Sequence, residues 1–196
     1  TPNGSILSCV VAADGSVYAT GFFRQSVAVE GTDPLYAVTS TVNANNLDNA
    51  FVAKFSADGS GEWLRTVDAV TDNTSSIGYS VDVDSEGSAY VTGRFMRTVD
   101  LDLAADAGSV DSRVANKHGN TFFVKLDSAG TNLWSHSWGG ANATWGQAVV
   151  VDNAGEIVVG GWTNPAVMDL DPADDGDAST TDDELIVLSA GDGNHK

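Results

Sequence analysis

The sequence of 196 residues is poor in the groups that carry most enzyme chemistry: it has one cysteine and three histidines. With Cys9 alone, no disulfide can form within the chain, and its place in the apolar run ILSCVVAA predicts a buried, inert thiol. No apolar run approaches the roughly 18 residues of a membrane-spanning helix. The motifs GxSxG, HExxH, CxxC and the P-loop are all missing, so no motif predicts an enzyme.

Positive charge is also scarce. The chain has 27 acidic and nine basic residues, a formal net charge of −18 and a pI near 4.1. This charge argues against nucleic acid and anionic membrane surfaces as partners, because both would repel it. Only five of the acids are glutamate, and aspartate favours turns over helices. The composition therefore predicts a turn-rich, helix-poor protein.

The chain repeats one phrase three times. GYSVDVDSEGSAYVTGRF and NTFFVKLDSAGTNLWSHSW make up the second copy, and similar segments precede and follow it. Gly21, Gly93 and Gly161 are equivalent, 72 and 68 residues apart, and Trp63 is equivalent to Trp134, 71 residues on. Recurrence at a fixed period is the signature of a repeat architecture.

Each copy contains four short β-rich segments separated by turn residues, with a polar excursion between the second and third. Four antiparallel strands are the content of one β-propeller blade. We therefore predict an all-β fold of about three consecutive blades, at 1–67, 68–138 and 139–196, in one propeller domain or fragment. The third blade lacks its last strand. In the first excursion, VAVEG and LYAVTST are candidates for extra strands.

Several of these segments resemble the bacterial seven-bladed β-propeller repeat family, often labelled SBBP. VDVDSEGSAYVTGRF is similar to one half of that repeat, DNAFVAKFSADGSGEW and TFFVKLDSAGTNLW to the other, and VMDLDPADDG to its acidic segment. The resemblance covers nearly the whole chain. It implies a secreted or surface-attached bacterial propeller, usually without known enzymatic activity. The first copy departs from the pattern by having VAVEGTDP in place of the acidic segment.

Three blades do not close a ring, because closed propellers have about 4–8. Two expectations stay open. The chain, which starts Thr-Pro without Met, is a processed form or a piece of a longer ring, or copies of it assemble through exposed blade edges. Self-association, other surface proteins and glycans are the expected partners.

The candidate metal ligands are carboxylates in two equivalent excursions. They are Asp100, Asp102 and Asp106 in the second copy, and Asp169, Asp171, Asp174, Asp175 and Asp177 in the third. Several carboxylates in one loop can supply the six to eight oxygen ligands that Ca²⁺ requires, although neither loop fits the EF-hand pattern. The alternative is that alternating aspartates form the solvent face of a strand.

Other aspartates and the tryptophans have simpler interpretations. Asp14, Asp58, Asp84, Asp127 and Asp152 are predicted turn formers. Trp63 and Trp134 are predicted to lie in the core between blades. Trp145 and Trp162, together with Trp138, fall near the junction of the second and third copies, where they either pack in the core or stack on sugars.

The sequence thus predicts an extracellular or cell-surface, non-catalytic propeller that acts as a scaffold, adhesion or assembly module, stabilised by Ca²⁺. One alternative is a carbohydrate-binding module that uses Trp145 and Trp162. Another is a polysaccharide hydrolase or lyase with its site at the central channel, although no pair among the acids stands out as catalytic.

Overall fold

In the computed structural model of the chain, the described residues are 4–29, 47–103, 110–115, 118–139, 143–152 and 154–163, with the backbone of 37–39 and 185–189. All regular elements in this part of the chain are β-strands, as the composition predicted. Among the same residues, no helix is long and apolar enough to cross a membrane.

The strands are short and follow one another closely. In chain order they are β1 (Gly4–Val11), β2 (Val17–Phe23), β3 (Ser26–Ala28), β4 (Ala37–Thr39), β5 (Asn49–Phe55), β6 (Gly61–Thr66), β7 (Asp68–Ala69), β8 (Ser75–Val83), β9 (Ala89–Met96), β10 (Thr98–Asp100), β11 (Ser112–Val114), β12 (Asn120–Leu126), β13 (Asn132–Trp138), β14 (Thr144–Val151), β15 (Ile157–Thr163) and β16 (Leu185–Ser189).

Three main sheets correspond to the three copies of the repeat. The first is a four-stranded antiparallel sheet in the order β1-β2-β5-β6, and the second has the equivalent order β8-β9-β12-β13. The third contains β14, β15 and β16. The predicted all-β fold of consecutive propeller blades is therefore confirmed, and we call these sheets the first, second and third blades.

The third blade differs in the direction of its outer strand. β15 pairs with β14 in an antiparallel register, as in the other blades, but β16 runs parallel to β15. The prediction of antiparallel strands throughout is wrong at this point. A parallel neighbour needs a crossover of a dozen or more residues, and the chain between Thr163 and Leu185 is long enough to provide one.

The excursions add small sheets beside the blades. β3 pairs with β4 where the sequence predicted extra strands, and β10 lies between β7 and β11. In the second excursion, Val99, Leu101 and Leu103 are almost fully buried in the core between the first two blades. The acidic excursion therefore contributes apolar side chains to the fold.

The hairpin turns are built on aspartate, as predicted. In each turn the Asp Oδ1 accepts a backbone N–H two residues further on, and a glycine with positive φ follows it. The five turn aspartates are Asp14, Asp58, Asp84, Asp127 and Asp152. Because these hydrogen bonds are local, the turn residues alone specify where each hairpin reverses.

A bulge interrupts the first strand of every blade at an equivalent residue, namely Leu7, Tyr79 or Gln147. The repeated glycine of the neighbouring strand lies opposite this bulge. A Cβ at Gly93, for example, would overlap the Ile77 carbonyl oxygen. A Cβ at Gly21 or at Gly161 would likewise overlap a carbonyl oxygen of the neighbouring first strand. The glycines therefore recur because one strand backbone approaches the other too closely for a side chain.

Each blade has two faces. We call the one that meets the following blade its forward face and the other its rear face. Tyr18 and Trp63 on the forward face of the first blade pack in one core with Val91 and Phe122 on the rear face of the second. The forward face of the second blade contributes Tyr90, Phe123 and Trp138 to another core, where it meets Val149 and Val159 of the third.

Candidate functional site

The described part of the acidic excursion uses its carboxylates for hydrogen bonds within the fold. Asp100 Oδ1 accepts the backbone N–H groups of Asp102, at 2.9 Å, and Asp111, at 2.8 Å. Among the described residues, no group of three or more His, Cys, Asp or Glu side chains is placed to hold a metal ion. Calcium therefore stays a prediction. The other candidate ligands, Asp106, Asp169, Asp171, Asp174, Asp175 and Asp177, lie outside the described residues.

Trp145 and Trp162 face each other across β14 and β15. They are cross-strand partners with ring centroids 5.0 Å apart at an interplanar angle of 45°. The Arg94 guanidinium lies 4.8 Å from the centroid of the Trp145 ring. Both tryptophans are half-buried, and the buried Trp145 Nε1 has no hydrogen-bond partner among the described residues. They lie in strands at the junction of the second and third blades, and sequence reasoning missed Arg94 as their neighbour.

The contact between the first two blades also contains a polar docking site, in which side chains of the first blade bind the β12–β13 turn. Trp63 Nε1 and Lys54 Nζ both donate to the Ser128 carbonyl oxygen, at 3.1 and 3.3 Å. Arg65 Nε donates to the Gly130 carbonyl oxygen at 2.7 Å. Three donors on one turn fix the position of the second blade against the first.

Lys54 is a buried cation in this docking site. Its ammonium is 2.8 Å from the Glu62 carboxylate and lies over the Tyr18 ring. Burial by itself lowers the pKa of Lys54, but the hydrogen bond to Glu62 and the field of Tyr18 outweigh burial and raise that pKa above its ordinary value. Lys54 therefore stays charged at neutral pH and serves as a hydrogen-bond donor between blades.

The second blade repeats part of this arrangement around Asp84. Lys125 Nζ is 3.7 Å from an Asp84 oxygen and lies over the Tyr90 ring, and the Tyr90 hydroxyl donates to Asp84. Burial raises the pKa of Asp84, yet hydrogen bonds from the Ser88 and Glu86 N–H groups and from Tyr90 outweigh burial and lower it. The Asp84 carboxylate therefore stabilises both its own turn and the forward face of the second blade.

Side-chain oxygens on the first strand of one blade accept backbone N–H groups from the first strand of the next blade. Ser8 Oγ accepts the Val81 N–H at 3.3 Å, and the equivalent Ser80 Oγ accepts the Val149 N–H at 3.2 Å. Asp82 Oδ2 accepts the Val151 N–H at 2.7 Å. The single sequence could not indicate these pairs, because each joins residues about 70 positions apart on different blades.

Cys9 is exposed, so the prediction of a buried thiol is wrong. In strand register Cys9 matches Val81 and Val149, each only 4% exposed. Those two valines are covered by the forward face of the preceding blade. Cys9 belongs to the rear face of the first blade, where the described residues supply no such cover. The other apolar residues of this run, Ile6, Leu7 and Val11, are exposed as well.

No protein-family profile matches the chain. The chain is similar to an uncharacterized WD repeat-containing protein, L264, of Acanthamoeba polyphaga mimivirus, with 23% identity over 155 residues. The match covers 78% of this chain and 11% of that protein, so the chain spans only a small part of its relative's length. The similarity agrees with a repeat architecture of propeller-like blades.

Proposed function

We propose that the chain is a non-catalytic, extracellular scaffold module, in which rigidly joined blades present their loops and end faces to surface partners. One observation carries this proposal. Polar side chains at the blade contacts, such as Lys54, Trp63 and Asp82, are engaged in joining one blade to the next. This use of polar groups supports a role in which the shape of the array is the functional property.

The extracellular placement is supported by charge and by resemblance. A net charge of −18 favours solubility in salty media, and the repeat resembles that of secreted or surface-attached bacterial propellers. Ca²⁺ bound in the acidic excursions would reduce the repulsion between their carboxylates.

The scaffold proposal is tested by exposing the purified chain to a panel of polysaccharides and surface extracts. The chain immobilised on beads is expected to retain a surface component without consuming it. Formation of new reducing ends or of unsaturated sugar products would instead indicate a hydrolase or lyase. Surface proteolysis of intact source cells tests localisation, because an extracellular chain is cleaved while the cytoplasm remains protected.

Carbohydrate binding is a second candidate, favoured by the Trp145–Trp162 pair. Two half-buried aromatic rings with a cation over one of them provide a stacking surface. On a glycan array, Trp162→Ala is expected to abolish binding. Leu133→Ala, a change at an exposed apolar residue on another blade, is the matched control. Equal binding by both variants would remove this candidate.

A further inference from the structure

The first strand of the first blade has an exposed rear face, whereas the preceding blade covers the equivalent strands of the second and third blades. Its exposed apolar side chains include Ile6, which is 60% exposed, and Val11, which is 68% exposed. A cavity of about 380 Å³ lies beside them, lined in part by Phe23, Phe51 and Phe55. The matching residues of the second blade, Phe95 and Phe122, are 0% exposed under the first blade, and Phe23 and Phe51 are buried beside Val27 and Val29 of the first excursion. The exposed part of this rear face is therefore its first strand, β1.

The two contacts between blades have the same pairing of a larger and a smaller residue at one pair of equivalent positions. A threonine on the forward face lies over a glycine in the first strand of the next blade. Thr20 occupies the space that a side chain at Gly78 would need, and Thr92 does the same at Gly146. Each threonine is held in place by a hydrogen bond from its hydroxyl to a carbonyl of its own blade.

We call the rear face of the first blade and the forward face of the third blade the two end faces. On these faces the sizes of the two paired residues are exchanged. The forward face of the third blade has Gly160 where the other blades have threonine, and the rear face of the first blade has Ile6 where the others have glycine. Among the described residues, a Cβ at Gly160 would meet only the Ala148 side chain, at 3.9 Å. A large residue on one end face thus corresponds to a small residue on the other.

At the position of Asp82, the forward faces of the first and third blades both have an uncharged valine, Val10 and Val150. Asp82 of the second blade accepts an N–H from the third blade, but its equivalent in the third blade is Val150, which is 57% exposed. Ser80 is likewise replaced by Ala148, and Tyr90 by Val158. Two copies of a chain with a net charge of −18 repel each other, so an uncharged contact favours their association.

We infer that the forward face of the third blade binds the rear face of the first blade of a second copy of this chain, with Ile6 packed against Gly160. The contact continues the order of the blades from one molecule into the next. It rests on the proposed scaffold function and specifies the partner, which is the chain itself. Two copies joined at both ends form a closed ring of six blades, and open repetition forms a filament.

The contact is tested first by measuring the mass of the chain in solution by light scattering over a range of concentrations. The wild type is expected to reach at least twice its chain mass of 20.3 kDa, and Ile6→Asp is expected to reduce the association constant at least tenfold. Val114→Asp is the matched control, because Val114 is 72% exposed on β11, away from both end faces. It should associate as the wild type does. A single-chain mass for the wild type, as expected if a blade of a longer chain fills these faces, would overturn the inference.

A second measurement uses the single native cysteine. In the internal contacts, positions 8 and 80 lie beside Val81 and Val149, so the inferred contact places Ala148 beside Cys9. Mild oxidation of Ala148→Cys is expected to join chains through Cys9 and the introduced thiol, as identified by peptide mapping. The same substitution combined with Cys9→Ser removes this product, and Leu133→Cys, at an exposed site on the second blade, does not form it. Bonds only between identical positions would contradict the head-to-tail contact.

These outcomes separate the inference from the scaffold proposal. If the chain associates as described but degrades a polysaccharide, the non-catalytic function fails while the contact stands. If it remains a single chain and degrades nothing, the contact fails while the scaffold proposal stands.

Discussion

Thr20 of the first blade occupies the space above Gly78 of the second, and its hydroxyl donates to the Phe51 carbonyl oxygen at 2.7 Å. One side chain therefore satisfies a buried carbonyl in its own sheet and sets how closely the next sheet approaches. Thr92 and Gly146 repeat the relationship at the following contact. The spacing between blades is determined by such pairs as well as by the larger apolar residues around them.

Replacing Gly78 tests this relationship. Gly78→Ala places a methyl group against Thr20, and overpacking of this kind typically costs about 1–3 kcal/mol of unfolding free energy. Urea unfolding measures the loss. Leu133→Ala, at an exposed residue on β13, is the control and should change the unfolding free energy much less.

A double-mutant cycle then identifies the cause. Thr20→Ala combined with Gly78→Ala is expected to be more stable than the sum of the single changes predicts, by about 0.5–3 kcal/mol. Strict additivity of the two changes would show that Thr20 does not limit the space at Gly78.

The polar docking site predicts that two equivalent tryptophans respond differently to the same change. Trp63→Phe removes the donor to the Ser128 carbonyl and is expected to lower the unfolding free energy by about 1–3 kcal/mol. Trp134→Phe is the matched change in the second blade, where Trp134 contacts the rings of Tyr90, Phe123 and His136. Its effect should be smaller. Equal losses in chemical denaturation would mean that ring volume, rather than the hydrogen bond, joins the first two blades.

Asp84 predicts a loss of stability in acid. Its pKa in the folded chain is lowered below the ordinary value of 3.8, so its contribution to stability is fully present above that value. The contribution is lost as the pH falls through the lower folded-state pKa. Asp84→Asn is therefore expected to destabilise the chain at neutral pH by about 1–2 kcal/mol, and the difference from the wild type should disappear in acid.

Thermal melts over a pH series measure this difference. Asp127→Asn is the matched control, because Asp127 Oδ1 accepts the equivalent turn N–H groups, those of Ala129 and Thr131, in the other turn of the same blade. It should change the pH dependence less than Asp84→Asn does. A constant difference between Asp84→Asn and the wild type across the whole series would exclude the Asp84 charge as its source.

The acidic excursions predict that Ca²⁺ stabilises the chain. At a free concentration 100 times the dissociation constant, one bound ion adds about 2.7 kcal/mol to the unfolding free energy. The melting temperature after EDTA treatment should therefore rise when Ca²⁺ is added back. Asp169→Asn with Asp171→Asn should abolish this rise. Asp100→Asn is a comparison variant, since the Asp100 carboxylate already accepts two backbone N–H groups. A melting temperature that Ca²⁺ and EDTA leave unchanged would remove the metal hypothesis.

Short-range chemistry made the blades predictable from the sequence. Asp84 with Gly87, and Asp127 with Gly130, form turns whose hydrogen bonds span only a few residues, so the turn residues alone specify the hairpins. The repetition of these turns and of Gly93 then indicated the number of sheets. The same reasoning recognised Trp63 as a residue of the core between blades.

Less of the candidate site could be predicted from the sequence. Trp145 and Trp162 were singled out because they cluster in sequence, but their direct pairing across two strands and the position of Arg94 depend on strand register and on the neighbouring blade. The parallel direction of β16 also had no signal, because a short apolar strand has the same pattern in either direction.

By itself, then, the sequence determined the repeat, its strands and its turns, because each depends on residues that are close neighbours in the chain. Only the tertiary structure decided which side of each strand meets another blade. It placed Cys9 on an open face although the equivalent Val81 is buried, and it showed that Ile6 and Gly160 exchange the sizes found at the internal contacts. Packing between sheets joins residues about 70 positions apart, and no local pattern encodes which of them come into contact.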